Sequence, residues 1–177
     1  MIEVKDKKFI PYLSESQLAE KISELGAKIN NDYLGKDPVL LGILNGAFMF
    51  LSDLAKSIDI PVEIQFIKVA SYEAFSSTGK VKDLIGLNID LEGREVIVVE
   101  DIVDTGFSMR HIMDLIADKN PANISVATLL LKPEALQEKL DIAYVGFEIP
   151  NKFVVGYGLD YDGYGRNLKE IYQLKEE

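Results

Sequence analysis

The chain has 177 residues, 47% hydrophobic and 27% charged, which is ordinary globular composition and one domain's worth of length, expected to span 1–177. The absence of cysteine excludes disulfides, thiolate metal sites and thiol nucleophiles, and a single histidine, His111, excludes a histidine-rich metal centre. A net charge of −10 argues against a broad basic face for nucleic acid. No apolar run approaches the ~18–20 residues of a membrane span, so neither nucleic acid nor membrane is an expected partner. The opening MIEVKDKKFIPYLS carries no apolar signal core, and a soluble, cytoplasmic protein is expected.

Ser14-Glu15-Ser16-Gln17 reads as a capping box, and Leu18, Ile22, Leu25 and Ile29 follow at helical spacing until Asn30-Asn31-Asp32. Residues 39–44, VLLGIL, are apolar throughout, as in a strand buried on both faces. After Gly46, the residues Phe48, Leu51, Leu54, Ala55 and Ile58 mark a helix. Residues 62–69 alternate apolar and polar, and so do Ile85, Leu87, Ile89 and Leu91. The two segments read as an antiparallel pair at one sheet edge, joined by the long polar loop Ser71–Asp83. Residues 95–99, EVIVV, form another short apolar strand, and Met109, Ile112, Met113 and Ile116 a helix. SVATLLL (125–131) is a further buried strand, PEALQEKL (133–140) a short helix and FVVGYG (153–158) a last strand. Strands alternate with helices and several strands are wholly apolar. That pattern gives an α/β protein with a mostly parallel sheet flanked by helices.

The chemistry concentrates in Val98–Met109, VVEDIVDTGFSM. A buried strand leads into two carboxylates, Glu100 and Asp101. Then come Asp104, Thr105, Gly106, Phe107 and Ser108, and a helix. Ligands of open α/β sheets bind at the carboxyl ends of strands. A Thr/Gly/Ser turn opening a helix supplies amides, hydroxyls and the positive end of the helix dipole, which together make a phosphate cradle. Adjacent carboxylates suit the cis-diol of a ribose. His111 lies within the helix and reads as a residue without a catalytic role.

This string resembles the phosphoribosyl-diphosphate (PRPP) motif of the type I phosphoribosyltransferases. The likeness is collinear from about residue 39 to 168 and includes Leu44-Asn45-Gly46, Ser71-Tyr72, Ser77-Thr78-Gly79, LLLK ending in Lys132, and GFEIPNKFVVGYGLDYDGYGRNL (146–168). It is nearest to the hypoxanthine and hypoxanthine-guanine members. The resemblance implies that family's fold, with a small hood from the chain ends. It also implies purine salvage: transfer of the 5-phosphoribosyl group from PRPP to hypoxanthine or guanine, giving the nucleoside monophosphate and pyrophosphate. By resemblance, Glu100 and Asp101 hold the ribose hydroxyls, and Asp104 faces N7 of the purine as general acid/base. Asp104 to Ser108, with Thr105, Gly106 and Phe107 between, bind the 5′-phosphate. Leu44, Asn45, Gly46 and Arg166 bind pyrophosphate. Ser71 and Tyr72 belong to a closing lid. Lys132 donates to O6 of the base, Phe153 stacks on it, and Val154 and Leu159 complete its pocket. Mg²⁺ is the implied cofactor, with Asp160, Glu100 and Asp101 as its carboxylates. A homodimer or homotetramer is implied. Many members carry lysine at the position of Asn45 and a polar or basic residue at that of Phe107, so the main-chain amides are the donors expected there.

Two other readings are compatible with the same fold: a xanthine- or guanine-preferring enzyme, and an RNA-binding regulator that keeps the PRPP motif. The acidic balance speaks against the regulator, as does the purine-like segment 146–168. A plain dinucleotide module lacks its G-x-G-x-x-G turn.

Overall fold

The computed structural model describes residues 1–68 and 89–176. Among the described residues five parallel strands make the main sheet: β3 (Val39–Leu44), β4 (Glu63–Lys68), β5 (Glu95–Val103), β6 (Asn123–Leu131) and β7 (Tyr144–Glu148), in the order β4-β3-β5-β6-β7. Their side chains divide by the period of two expected of a pleated strand. Leu40, Ile97 and Val99 join the core on one face, under α1 (Glu15–Asp32) and α2 (Phe48–Lys56). Val39, Leu41, Val96 and Val98 join the other, under α3 (Phe107–Ala117). Both faces are covered, which is why these strands read as continuous apolar runs.

A second, antiparallel sheet forms the hood. It is built from β1 (Ile2–Val4), β2 (Lys7–Leu13), β8 (Val154–Val155) and β9 (Ile171–Leu174), in the order β1-β2-β9-β8. The capping box at Ser14 is present, with Gln17 N–H donating to the Ser14 hydroxyl oxygen and the Gln17 side chain accepting from Ser14 N–H.

Four sequence expectations are corrected. The strand that begins at Glu95 does not stop at Val99 but runs to Val103, so Glu100 and Asp101 lie within it. Pairing with β3 ends at Gly42↔Val99, and beyond that point the amides of Asp101 and Ile102 donate to Glu100 Oε1 and Asp101 Oδ1. Residues 133–140 form turns rather than a helix, because the carbonyl of Thr105 takes the amides of Gln137 (2.9 Å) and Glu138 (3.3 Å). The strand expected over 153–158 is only Val154–Val155, since Gly156, Tyr157 and Gly158 all turn to positive φ. Finally, Ile89–Leu91, the end of the segment expected to pair with 62–69, are not strand, and among the described residues β4 pairs with β3 alone, in parallel. The expected partner segment 84–88, the loop Ser71–Asp83 and the lid residues Ser71 and Tyr72 lie outside the described residues.

Candidate active site

The direction of the crossovers locates the site. From β3 the chain moves outward to β4, and from β5 it moves the other way to β6 and β7. The carboxyl ends of β3 and β5 therefore flank a topological switch point, where open α/β sheets leave a crevice. A cleft of about 350 Å³ opens there, lined by Leu44 and Gly46 after β3, by Glu100 to Gly106 and Ser108 from β5 into α3, and by Asp160 and Arg166 from the loop before β9. Asn45 lines an adjoining cleft that shares Leu44 and Arg166. The peptide bond between Leu44 and Asn45 is cis.

Close packing fixes these loops. A Cβ on Gly46 would lie 1.7 Å from Asp101 Oδ2, and one on Gly158 would lie 2.1 Å from the carbonyl oxygen of Gly46. The backbone after β3 is thus pressed between a strand carboxylate on one side and the glycine-rich loop on the other. Gly106 precedes α3 at φ 87, with no side chain capping the helix, so the first-turn amides face the cleft without a side-chain acceptor. Phe107 points its side chain outward, leaving the backbone as the group it offers.

Arg166 donates from Nη1 to Gly158 O at 2.7 Å and pairs through Nη2 with Asp160 Oδ1 at 2.6 Å. Asp160 Oδ2 also accepts from Gly163 N–H at 2.7 Å. Lys132, 7% exposed at the end of β6, places Nζ 2.8 Å from Asp104 Oδ2. The hood brings Phe153 within 5.9 Å of Tyr161 and 6.3 Å of Phe9, ring centre to ring centre, with Phe153 still partly exposed. Val154 and Leu159 are buried. Lys132, Phe153, Val154 and Leu159 stand outside the cleft that holds the acid pair. Sequence reading missed the direct Lys132–Asp104 pair, whose members are 28 positions apart, and the abutment of Gly46 and Gly158. The repeated glycines of GYGLDYDGYG were the available signal for the second.

A model of the phosphoribosyl transferase domain matches residues 12–162. The chain belongs to the phosphoribosyltransferase family. It is 44% identical over 166 residues to the hypoxanthine-guanine phosphoribosyltransferase of Mycobacterium bovis, covering 90% of this chain and 82% of that protein. It is 41% identical over 169 residues to the protein of that name from Dictyostelium discoideum, covering 93% and 94%. A crystal structure of a hypoxanthine-guanine phosphoribosyltransferase from Bacillus anthracis superposes with a TM-score of 0.85 at 37% identity, over 96% of this chain and 98% of that one.

In this phosphoribosyltransferase the acid pair is electrostatically uncomfortable when nothing is bound. Burial, and then the charge of Asp101, push the Glu100 carboxyl well above the usual glutamate range. Burial raises Asp101 too, against the opposing pull of its hydrogen bonds with Glu100 and Ile102 N–H and of the Arg166 charge. A carboxyl that holds its proton more tightly folded than unfolded makes stability fall as pH rises from the ordinary glutamate pKa, about 4.3, through the raised folded value. Glu100→Gln should therefore raise the melting temperature of the ligand-free protein by a few degrees at pH 7.5 and by less at pH 5. The same substitution should weaken PRPP binding. Thermal melts at the two pH values check the first effect, and a gain that does not grow with pH would show that the pair is already neutralised.

Proposed function

We propose that this chain transfers the 5-phosphoribosyl group of PRPP to hypoxanthine, and also to guanine, forming the nucleoside monophosphate and pyrophosphate in purine salvage. The observation that carries the reading is the Lys132–Asp104 pair at the mouth of the uncapped α3 loop. An ammonium is a pure donor and a carboxylate a pure acceptor. Held 2.8 Å apart, they match the neighbouring O6 and N7 positions on one edge of a 6-oxopurine that carries its proton on N7. The names of the relatives, at 41% and 44% identity over most of the chain, support the same substrate class.

In this proposal N9 of the base bonds to C1 of the ribose as the bond from C1 to pyrophosphate breaks. Asp104 takes the N7 proton, and Lys132 holds O6 as negative charge builds on it. The amides and hydroxyls of Asp104, Thr105, Gly106, Phe107 and Ser108 receive the 5′-phosphate. Glu100 and Asp101 accept from the ribose hydroxyls. Leu44, Asn45 and Gly46, through their main chain, and Arg166 hold the pyrophosphate. Phe153 stacks on the base, beside Val154 and Leu159. The lid role of Ser71 and Tyr72 rests on resemblance alone.

Mg²⁺ fits this donor set. Among the described residues no group of three or more potential ligands gathers to cage a metal. Mg²⁺ instead takes one or two carboxylates together with substrate phosphates, and Glu100 and Asp101 are adjacent acids whose carboxyls burial pushes up. Asp160, paired with Arg166, is the third carboxylate proposed. Bound there, the ion would neutralise charge on the departing pyrophosphate. We also propose that the protein acts in the cytoplasm as a homodimer or homotetramer. Among the described residues no helix is long and apolar enough to cross a membrane.

The test is product formation from hypoxanthine, guanine, xanthine and adenine, each with PRPP and with or without Mg²⁺. Hypoxanthine and guanine should turn over only with the metal, and failure of all four bases would overturn the reading. Lys132→Ala should lower the hypoxanthine-to-adenine preference about ten- to a hundredfold, the worth of a hydrogen bond to a charged group. An unchanged ratio would remove Lys132 from base recognition.

A further inference from the structure

Tyr157 sits in the middle of the base-site loop, between Gly156 at φ 105 and Gly158 at φ 101, and itself at φ 50. A tyrosine is an unusual choice for a left-handed position and persists there only where its surroundings over-determine it. Three contacts do so. Its amide donates to Leu168 O at 2.8 Å. Its ring is buried in the core beneath α1 and α2. Its hydroxyl donates to Asp53 Oδ2, on the second turn of α2. Asp53 is in turn paired with Lys56 Nζ at 2.5 Å, so its carboxylate is balanced and held from both sides.

Each end of this contact is continuous in the chain with a segment that lines the cleft, Leu44 and Gly46 before α2, and Asp160 after Tyr157. Helix α2 starts directly after Leu44-Asn45-Gly46, and Ala47 caps it with no side-chain hydrogen bond. Backbone bonds alone join that loop to the helix locally, Ala47 N–H donating to Ile43 O and Leu51 N–H to Ala47 O. Tyr157 leads straight into Gly158, whose α-carbon rests on Gly46 O and whose carbonyl accepts from Arg166. We propose that Asp53 and Tyr157 are a positioning pair that clamps α2 to the base-site loop, setting the distance between the pyrophosphate end and the base end of the site. Neither residue lines the cleft. The assignment rests on the proposed transfer reaction.

Tyr157→Phe tests it, because only the hydroxyl is lost and Asp53 keeps Lys56. Tyr144→Phe is the matched control: Tyr144 is equally buried and donates to Asp32 Oδ2 at 2.8 Å, at the far end of α1. Both variants should lose a few degrees of melting temperature. Only Tyr157→Phe should raise the Michaelis constant for PRPP, by about five- to twentyfold, with a smaller fall in kcat. Asp53→Asn, which keeps an oxygen acceptor for the hydroxyl, should recover most of that loss relative to Asp53→Ala. If Tyr157→Phe leaves the PRPP Michaelis constant within twofold of wild type, or if Tyr144→Phe raises it equally, the pair is ordinary core packing and the proposal fails. A wild-type protein with no transferase activity would instead sink the transfer reading, a result the same assays report separately.

Discussion

Asp104→Asn is expected to reduce turnover with hypoxanthine by about 10²–10⁴-fold, the usual worth of a positioned acid/base, while PRPP affinity changes severalfold at most. Asp104 follows the last residue of β5, so a strand held on its far side by β6 aims it. Its carboxylate faces Lys132 at 2.8 Å, which fixes the direction of one oxygen and leaves the other to accept a proton. Asparagine preserves the shape and one oxygen acceptor for Lys132 but has no basic oxygen. The loss should therefore appear in kcat rather than in binding. Steady-state kinetics combined with direct PRPP titration separate the two, and equal losses in both would make Asp104 a binding residue.

Gly158→Ala should be among the most damaging single-methyl changes in the described part of the molecule. The residue lies at φ 101, where a Cβ is strained whatever the space, and that Cβ would also lie 2.1 Å from the main-chain oxygen of Gly46. Neither backbone can move without opening the cleft. A cost on the order of 4 kcal/mol, at roughly 2–4 °C per kcal/mol for this chain length, lowers the melting temperature by about 8–16 °C. Gly46→Ala gives a useful contrast. Its Cβ would meet the Asp101 carboxylate, a side chain able to swing away, so stability should fall less while PRPP binding falls steeply. Melting curves of the two variants side by side check this, and the reverse order would mean that the two loops do not bear on each other.

What could be read without the structure followed from local signals that agree with the fold. The apolar runs at 39–44 and 125–131 became central strands, because burial on both faces removes the need for polar residues there. The acid pair and the phosphate turn were legible as one string because a single strand–turn–helix carries them. What escaped depends on distant partners. The helix pattern at 133–140 lost to the Thr105 carbonyl, 32 positions before Gln137. The segment KKFIPYL, with charged residues and a proline, became β2 between β1 and β9, the second of which pairs with it from the other end of the chain. Polar Glu100 and Asp101 concealed the continuation of β5, since they trade ladder partners for their own carboxylates.

The antiparallel hood also sets a timetable for synthesis. Phe9 and Leu13 face inward from β2, but the strand that covers their edge, β9, begins at Ile171. At translation rates of about 5–20 residues per second, β2 waits on the order of 10–30 s for its neighbour. During that interval it is a short ribbon with an open edge, the arrangement most prone to pairing with another nascent chain. Lys5, Lys7 and Lys8 crowd that ribbon with positive charge, and Pro11 removes one amide from it. The residues that flank the cleft from β3 to β6 emerge earlier. A ribosome-bound chain halted after β6 would thus have made the turn from β5 into α3 but not the loop of Asp160 and Arg166 that completes the cleft, and it could not act as a transferase until its final strand was released.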